Sequence, residues 1–595
     1  MPASFDVVLD QPYDWSRTVP LSVRQEPGGV TVEYDLVIRN GLVVDGSGGP
    51  SFVGDIGVVG DQIASIGRIT SRGAEEIDAE GHIVAPGFVE VHTHMDAQVF
   101  WDSLGTCSAW HGITTSVFGN CGFTLAPCAE KDMDLCLRSL ERAEDMSRDV
   151  LLAGIDWTWE TFPEYLDAVD GLAKGINYAA MIGHSSLRTW AMGPRAFEEE
   201  ATSEDLVVMC RQLRAALEAG AVGFTTSRSH DHRTSDDKPV ASLLANWDEV
   251  VALVEVQRDL GVGIFQLINN FEQDPEQRAR IHAQLGELAV NCGRPVTFAC
   301  VSAPAVPELG QEYLALADEV APRGGRIVGQ ISDREFATVL SFQTTLPFDS
   351  LPQWRAFRTR PLDDQQVALR DPALRQCLVD EAMHGDYRLG IGAEPKAPEW
   401  SMMQVVDDEG RHPSVAEIAA ARHTTPVDVM IDLSLERGLQ QFFRQPFFNM
   451  DRARTLEMLR HPRTVIALSD TGAHVSQIVD TSIPTHFLSY WVRDQQEFSW
   501  EEGIKKLTAD PAALMAFSDR GTLREGFVAD LAVIDPATIA PGPVEAARDL
   551  PAGGTRLKQK AVGVKASVVA GTILMQDGEH TGAHPGRLIR GPLVR

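Results

Sequence analysis

Short apolar runs alternate with amphipathic stretches through the middle of the chain. Runs such as "INYAAMIGH", "VGIFQLI" and "TVIALSD" have the pattern of buried strands, and "SEDLVVMCRQLRAALEAG" has that of a helix. Alternating strands and helices predict a parallel sheet in an α/β fold. The number of units and the chain length favour a closed (β/α)8 TIM-like barrel, in which active sites lie at one rim.

A different pattern occurs at both ends of the chain. "YDLVIRNGLVVDGSG" near the start and "GTLREGFVADLAVIDP" near the end are short β-type runs bounded by turn signals. They predict one small β-sandwich domain formed from both ends, and "APGPVEAARDLPAGG" is expected to be a loop within it. The expected division is an extension at 1–33, sandwich parts at 34–85 and 518–595 (with the C-terminal tail), and the barrel at 86–517.

Composition narrows the class of partner. The chain carries a net charge of −32 with a pI near 4.9, which disfavours binding to nucleic acid and to anionic membranes. We find no signal-peptide pattern and no apolar run long enough to span a bilayer. Eight cysteines at irregular spacing favour reduced thiols. The expectation is a cytoplasmic protein.

The stretch "PGFVEVHTHMDAQ" places two histidines one residue apart after an apolar run. On a strand, His92 and His94 point the same way, so two imidazoles converge at the predicted rim. Such a pair forms half of a metal coordination shell. Taken alone, this spacing is also common in ordinary strands.

Two further residues follow strand-like runs. In "VFGNCGFTLAP", a tight turn exposes Cys121, which suits a thiolate ligand, although a lone cysteine is more often a small buried hydrophobe. In "TVIALSDTGAHV", an apolar run delivers Asp470 to its end. A carboxylate there can bind metal and act as a general acid/base, or it can simply cap a helix.

Together, "PGFVEVHTHMD", "GNCGFTLAP", "ALSDTGAHV" and "DRGTLREGFVADLAVID", in this order and flanked by β-structure, resemble the amidohydrolase superfamily. The branch that they are most similar to is that of the N-acyl-D-amino-acid deacylases (D-aminoacylases), over about residues 34–590. The resemblance implies zinc, one or two ions per chain, with Mn2+ or another divalent metal as an alternative. It implies His92, His94, Cys121 and Asp470 as metal ligands, with Asp470 also catalytic.

Two positions depart from that branch. Its members carry histidine ligands after strands 5 and 6, where this chain has "GIFQLINN" and "VTFACVS". Alignment by eye puts Gln266 and Cys300 at those places, as weak candidate ligands, and Ser302 where a substrate-binding lysine belongs.

Other polar groups are candidates for binding substrate. "GFTTSRSHDHR" supplies Arg228, His230, His232 and Arg233, and "DTGAH" supplies His474. An arginine fork at Arg228 or Arg233 matches a substrate carboxylate, although each is equally expected to form a structural ion pair. His184 is a catalytic candidate that would polarise the scissile carbonyl, or else hydrogen-bond a loop.

The sequence therefore predicts a metal-dependent hydrolase of a C–N amide bond, similar to an N-acyl-(D-)amino acid deacylase, acting through metal-activated water. One alternative is a single-metal enzyme for a cyclic amide, a deamination or a decarboxylation. Another is a degenerate binding protein. The expected partner is a small-molecule amide, with no nucleic acid and no membrane, and the chain is expected to form a homo-oligomer, a dimer or tetramer.

Overall fold

The computed structural model describes residues 24–25, 31–143, 145–387, 397–407 and 412–594. Most of the extension expected at 1–33 therefore lies outside the described residues. Mixed α/β architecture is confirmed, with a small β domain beside a larger unit of parallel strands and helices. No helix among the described residues is long and apolar enough to cross a membrane.

The β domain is one ten-stranded sheet drawn from both ends of the chain. Its two halves meet where Ile83–Pro86 pairs antiparallel with Leu531–Ile534. Apolar side chains such as Ile38, Ile56 and Val568 fill its core. The strands are Arg24–Gln25, Thr31–Val43, Phe52–Val59, Gln62–Gly67, Arg72–Asp78, Ile83–Pro86, Leu531–Ile534, Val564–Val569, Thr572–Gln576 and Glu579–His580.

One local expectation in this region is wrong. The segment expected to be a loop at 540–554 begins with a strand, Ala540–Ala547, which pairs antiparallel with Arg556–Val562. This hairpin docks beside the loop that follows the last parallel strand, because the Leu557 amide donates to the Val475 carbonyl at 2.7 Å. Pairing with a partner supplied later in the chain overrides the local proline and glycine content.

Eight short parallel strands form the central unit, and we number them central strands 1 to 8. They are Phe88–Glu90, Ile113–Phe118, Asn177–Ala180 with Ile182–Gly183, Gly223–Ser227, Ile264–Ile268, Val296–Ala299, Ile327–Ile331 and Thr464–Ile466. Strands 1 to 3 are hydrogen-bonded in sequence order, and so are strands 3 to 8. Among the described residues no ladder joins strand 8 to strand 1, but the His94 amide donates to the Thr471 carbonyl at 2.8 Å.

Helices cover the outer face of these strands. Local signals begin several of them: Thr202 caps Ser203–Glu218 and Asn246 caps Trp247–Leu260. Their apolar faces pack on outward strand side chains such as Phe224, Phe265 and Phe298. The helices of this unit are Met95–Gln98, Thr106–Trp110, Met133–Ala143, Arg148–Gly154, Phe162–Asp170, His184–Met192, Ser203–Glu218, Trp247–Leu260, Pro275–Asn291, Leu309–Val320, Arg452–Arg460, Ile483–His486, the π-helix Phe487–Asp494, Trp500–Leu507 and Ala509–Leu514.

The connection between central strands 7 and 8 is a subdomain of its own. It holds a three-stranded antiparallel sheet of Phe336–Leu340, Gln404–Val405 and Phe443–Phe448. A separate apolar core surrounds the fully buried Trp354. Its helices are Pro352–Arg358, Leu362–Ala368, Pro372–His384, Val415–Arg422 and Pro426–Glu436.

The C-terminal segment crosses the side of the central unit opposite the polar strand ends. The Ile589 amide donates to the Tyr178 carbonyl at 2.7 Å, and the Gly591 amide donates to the Gly220 carbonyl at 2.8 Å. Leu588 packs into the main core. Residues from the end of the chain therefore close the base of central strands 3 and 4.

Candidate metal centre

His92 and His94 follow central strand 1 and lie side by side. Both are buried, with 1% and 6% of their surface exposed, and their ring centroids are 5.5 Å apart. The backbone amide of His92 donates to the Glu90 carboxylate at 3.0 Å, which fixes the start of the turn. Period-two alternation at the strand end therefore brings the two imidazoles to one place, as the sequence predicts.

Cys121 joins these histidines from the turn after central strand 2. Its backbone has a positive φ of 55°, and its amide donates to the side-chain oxygen of Gln266 at 2.8 Å. The next residue, Gly122, approaches strand 4 so closely that an added Cβ would lie 2.9 Å from the Ser227 amide nitrogen. The tight turn aims Sγ at the pair, 3.3 Å from His92 Nε2.

Asp470 completes the group from the loop after central strand 8. Its Oδ1 lies 3.4 Å from His92 Nε2 and 3.9 Å from His94 Nε2. The loop is bent: Leu468, Asp470 and His474 all have positive φ angles, 70°, 48° and 48°. Positive φ angles are unfavourable for residues other than glycine, and here three occur within seven positions. Backbone strain of this kind clusters at functional sites.

The donor set fits a tetrahedral divalent metal. The candidate ligand atoms of His92, His94 and Cys121 all lie within 4.8 Å of one another. With metal–nitrogen bonds near 2.0 Å and metal–sulfur bonds near 2.3 Å, ligand atoms of a tetrahedral zinc are roughly 3.3 to 3.6 Å apart. The His92–Cys121 and His92–Asp470 separations of 3.3 and 3.4 Å match that spacing.

Burial sets the protonation of this group. It lowers the pKa of His92 to about 4 and that of His94 well below its ordinary value, so both imidazoles are neutral near pH 7. A neutral imidazole is the form that binds metal. Burial also raises the pKa of Asp470 to about 7, with a smaller contribution from the nearby Asp480 carboxylate.

Gln330 on central strand 7 orients His92, and the sequence analysis did not identify it. Its Oε1 lies 2.5 Å from His92 Nδ1. An amide oxygen only accepts, so Nδ1 carries the proton and Nε2 is left with its lone pair toward Cys121 and Asp470. The one available signal was a glutamine within the apolar run "RIVGQIS".

The register of the strands separates the two weak ligand candidates. Gln266 faces inward, since its side-chain oxygen accepts from the Cys121 amide, and it stays a weak candidate ligand. Cys300 faces the other way: Ala299 is the Cα partner of the inward Gln330, so the following residue points outward. An added Cβ on Gly329 would lie 2.6 Å from Cys300 Sγ and 3.4 Å from Leu314 on an outer helix.

Cys300 as a metal ligand is therefore wrong, because it belongs to the apolar core between strands and helices. Burial raises the pKa of its thiol far above the ordinary range, which keeps it protonated. The inward position on strand 6 is Ala299. Ser302 lies beyond the strand and is held by Asn449, whose side-chain oxygen accepts from the Ser302 amide at 2.9 Å.

His184 lies outside the group of ligands. Its Nδ1 is 2.8 Å from the Thr226 hydroxyl and its Nε2 is 2.8 Å from Glu249 Oε1. Arg188 donates to the same carboxylate, also with both partners buried. Both ring nitrogens are thus engaged in a buried network behind the strand ends.

The arginine candidates for substrate binding form contacts away from the metal group. Arg228 donates to the carbonyls of Ala245 and Ser242 at 2.5 and 3.3 Å. Arg233 pairs with Asp237 at 2.8 Å, and the neighbouring His230 is exposed. Arg228 and Arg233 therefore belong to the structure of their own loop, and His230 lies at its surface.

His232 and His474 lie close enough to influence the metal group. Both contribute electrostatically to the low pKa of His94. Burial lowers the pKa of His232 to about 4 and that of His474 to about 3, so both are neutral near pH 7. His232 Nδ1 bonds the Ser227 hydroxyl at 2.7 Å, and His474 Nδ1 is buried without a hydrogen-bond partner among the described residues.

Comparison with known proteins identifies the family of this chain. A family model described as "Amidohydrolase family" matches residues 75–575. A D-aminoacylase of Alcaligenes xylosoxydans is 28% identical, covering 93% of this chain and 97% of that one. An uncharacterized protein of Mycobacterium tuberculosis is also 28% identical over 93% of each chain.

Two solved structures share the fold. A crystal structure of D-aminoacylase aligns over 94% of this chain and 100% of that chain, with a TM-score of 0.62 and 24% identity. A structure of N-acyl-D-glutamate deacylase from Bordetella bronchiseptica, complexed with zinc and a phosphonate inhibitor, aligns over 94% of this chain and 99% of that chain. Its TM-score is 0.63 and its identity 23%.

Proposed function

This chain belongs to the amidohydrolase family, and we propose that it hydrolyses the amide C–N bond of an N-acylated small molecule with the help of one divalent metal ion. Family membership makes it a hydrolase acting on C–N bonds, and it confirms the resemblance seen in the sequence. The observation that carries the rest is the convergence of His92, His94, Cys121 and Asp470. The proposal includes a closed (β/α)8 barrel.

His92 Nε2, His94 and Cys121 Sγ would hold the metal, and the Asp470 carboxylate would flank the position left for water. Two neutral imidazoles and a thiol favour zinc over magnesium or calcium, which prefer oxygen. When bound, zinc acts as a Lewis acid toward the scissile carbonyl and makes water more acidic. Gln330 keeps His92 in the tautomer that presents Nε2.

The inner face supports one metal rather than two. The inward positions on central strands 5 and 6 carry Gln266, a neutral amide that already accepts from the Cys121 amide, and Ala299, which has no donor atom. A second ion would have only a weak ligand from strand 5 and none from this position of strand 6. The lack of strong ligands on these strands favours a single-metal site over a two-metal site. The proposed reaction is still hydrolysis of an amide bond.

Asp470 is the residue that moves the proton. Its side chain is 22% exposed, whereas those of His92 and His94 are almost fully buried, so substrate and water reach it. A carboxylate that water can reach can act first as a general base and then as a general acid. Asp470 takes the proton from the attacking water and delivers it to the leaving nitrogen.

Neutral histidines at the mouth of the site would orient the substrate. His474 follows Asp470 closely in the same bent loop, and its buried Nδ1 has no protein partner among the described residues. A neutral imidazole can donate one hydrogen bond to a carbonyl or amide oxygen. His232 would flank the substrate from the opposite side, next to Phe123.

Metal analysis with an aspartate variant tests the proposal. Purified protein should contain about one zinc per chain, and stripping it with dipicolinate should abolish amide hydrolysis until zinc returns. Asp470→Asn should lower kcat by about 10²- to 10⁴-fold, the range for loss of a general acid/base. Asp167→Asn, a surface change, is the control. Full activity in the metal-free protein or in Asp470→Asn would contradict the mechanism.

A further inference from the structure

A cluster of apolar side chains lies at and beyond the ends of central strands 5, 6 and 8 and on the strand 7–8 subdomain. Four buried side chains, Ala299, Val301, Phe336 and Leu468, form one cluster. Ile268, Phe271, Phe447 and Phe448 pack against it and are only partly buried. We call these eight residues the apolar wall.

Two residues connect the wall to the metal group. Ala299 is the Cα partner of Gln330, the residue that bonds His92. Leu468 lies two residues before Asp470 in the same loop. The wall is therefore linked to the candidate ligands through strand 7 and through the Asp470 loop.

The strand 7–8 subdomain supplies the aromatic part of the wall. Phe336 pairs with Phe448 across its antiparallel sheet. The ring of Phe448 lies 4.7 Å from that of Phe271 and 5.0 Å from that of Phe447. Asn449 fixes this edge over strand 6, because it exchanges two hydrogen bonds of 2.9 Å with the backbone of Ser302. The antiparallel sheet and the Asn449–Ser302 hydrogen bonds thus hold these rings in place.

Cations that border the site within the described part of the chain are already engaged. Arg334 donates to Asp480 at 2.5 Å and to the Ser482 hydroxyl at 2.9 Å. Arg556 and Lys558 line a cavity beside Asp470, but each pairs with Asp549, at 2.8 and 3.0 Å. Arg228 and Arg233 are held by their own loop, as described above. Arg452, three residues after Asn449, is exposed and donates to the Tyr490 hydroxyl at 2.6 Å. A substrate carboxylate against the wall would therefore have to compete with existing partners for a countercharge.

We propose that the substrate places a large, uncharged, apolar group, aromatic or branched, against the apolar wall. The inference rests on the proposed amide hydrolysis and restricts its substrate class to amides without a carboxylate on that side of the scissile bond. Burying a phenyl ring there removes apolar surface from water, whereas burying a carboxylate without a paired cation is strongly unfavourable.

Two short series of amides test this substrate class. One holds the amine constant and varies the acyl group among acetyl, 3-phenylpropionyl and succinyl. The other holds the acetyl group constant and varies the amine among methylamine, phenethylamine and β-alanine. We expect the phenyl member to exceed the carboxylate member in kcat/KM by about tenfold or more in at least one series. Carboxylate members that are equal or better in both series would overturn the inference.

A variant of the wall links that preference to its rings. In each series, the preference is the kcat/KM of the phenyl member divided by that of the smallest member, the acetyl or the methylamine amide. Phe448→Leu should bring this ratio at least threefold closer to one. Phe52→Leu, in the β domain, should leave this ratio unchanged. An unchanged ratio in folded Phe448→Leu would overturn the assignment. If Phe448→Leu does not fold, Phe447→Leu replaces it. If neither variant folds, the two amide series decide alone.

The two levels of the proposal fail separately. If zinc-loaded protein cleaves none of the six amides, the proposed function itself is contradicted. If it cleaves the acetyl and carboxylate members but not the phenyl members, amide hydrolysis stands and only the apolar substrate class falls.

Discussion

Gln330 Oε1 lies 2.5 Å from His92 Nδ1 and fixes which nitrogen of that imidazole faces Cys121 and Asp470. The bond joins central strand 7 to the end of central strand 1, across the inner face. It makes the orientation of one candidate ligand depend on a residue far away in the chain.

Replacing Gln330 should therefore weaken metal binding. In Gln330→Leu, the His92 ring loses its acceptor, and we expect zinc affinity to fall by about 10- to 100-fold, as for other residues that orient a metal-bound histidine. Chelator competition measures the affinity. Gln257→Leu is the control, since this buried amide donates to the Ile264 carbonyl away from the centre. Equal zinc affinity in Gln330→Leu and wild type would contradict the role.

Cysteine variants should separate the ligand from the core residue. Cys121→Ala removes a donor 3.3 Å from His92 Nε2, so bound zinc should fall well below one per chain. Cys300→Ala should keep full zinc content but lower the unfolding temperature, because it opens space in a packed core and costs about 1 to 2 kcal/mol. Elemental analysis and thermal unfolding measure the two effects. Zinc loss in Cys300→Ala would restore it as a ligand.

Gly472 brings the Asp470 loop against His94. Its φ is +100°, and an added Cβ would lie 2.4 Å from the His94 carbonyl oxygen. Because that oxygen belongs to the backbone, only a shift of the main chain can relieve the clash. Gly472→Ala should therefore displace the loop and reduce both zinc affinity and turnover by about tenfold or more. Gly526→Ala is a matched control, because its φ is +85° with nothing within 4 Å of the added Cβ. That change should affect stability alone.

His111 should make stability depend on pH. Its nitrogens bond Thr485 and the Gln559 carbonyl, and burial lowers its pKa to about 4. Between pH 4 and about 6.5 the unfolded chain binds more protons at this residue than the folded one does, so stability falls as pH drops through that window. The full effect is about 3 kcal/mol.

The pH dependence can be isolated by substitution. In His111→Gln the fall in unfolding temperature from pH 7.5 to pH 5 should be smaller than in wild type, even if the variant is less stable at pH 7.5. His423→Gln, at an exposed position, should reproduce the wild-type dependence. Identical pH dependence in wild type and His111→Gln would show that His111 does not contribute.

Local sequence was sufficient to predict the central strands and the convergence of the first three candidate metal ligands. Central strands 3 to 8 coincide with apolar runs, and His92, His94 and Cys121 converge because each follows directly on a strand end. These features need only the period of a strand and the parallel direction of its neighbours.

Features that depend on register between distant segments were not predicted. The prediction put Cys300 at the inward position of strand 6, which is one residue earlier, at Ala299. A shift of one residue reverses the face of a strand residue, and only the pairing with strand 7 shows which residue faces inward. The contact between Gln330 and His92 needs central strands 7 and 1 in position. The aromatic residues Phe336, Phe447 and Phe448 of the apolar wall need the strand 7–8 subdomain in position. No local pattern contains that information.

Pairing of the two ends of the chain also affects how the protein is made. Ile83–Pro86 forms hydrogen bonds with Leu531–Ile534, which leaves the ribosome much later. At about 5 to 20 residues per second, the intervening segment takes roughly 20 to 90 s to synthesise. During that time one edge of the nascent sheet has no partner, and an open strand edge invites pairing with other chains. Successful production of this enzyme in a cell therefore depends on protecting that edge until translation is nearly complete.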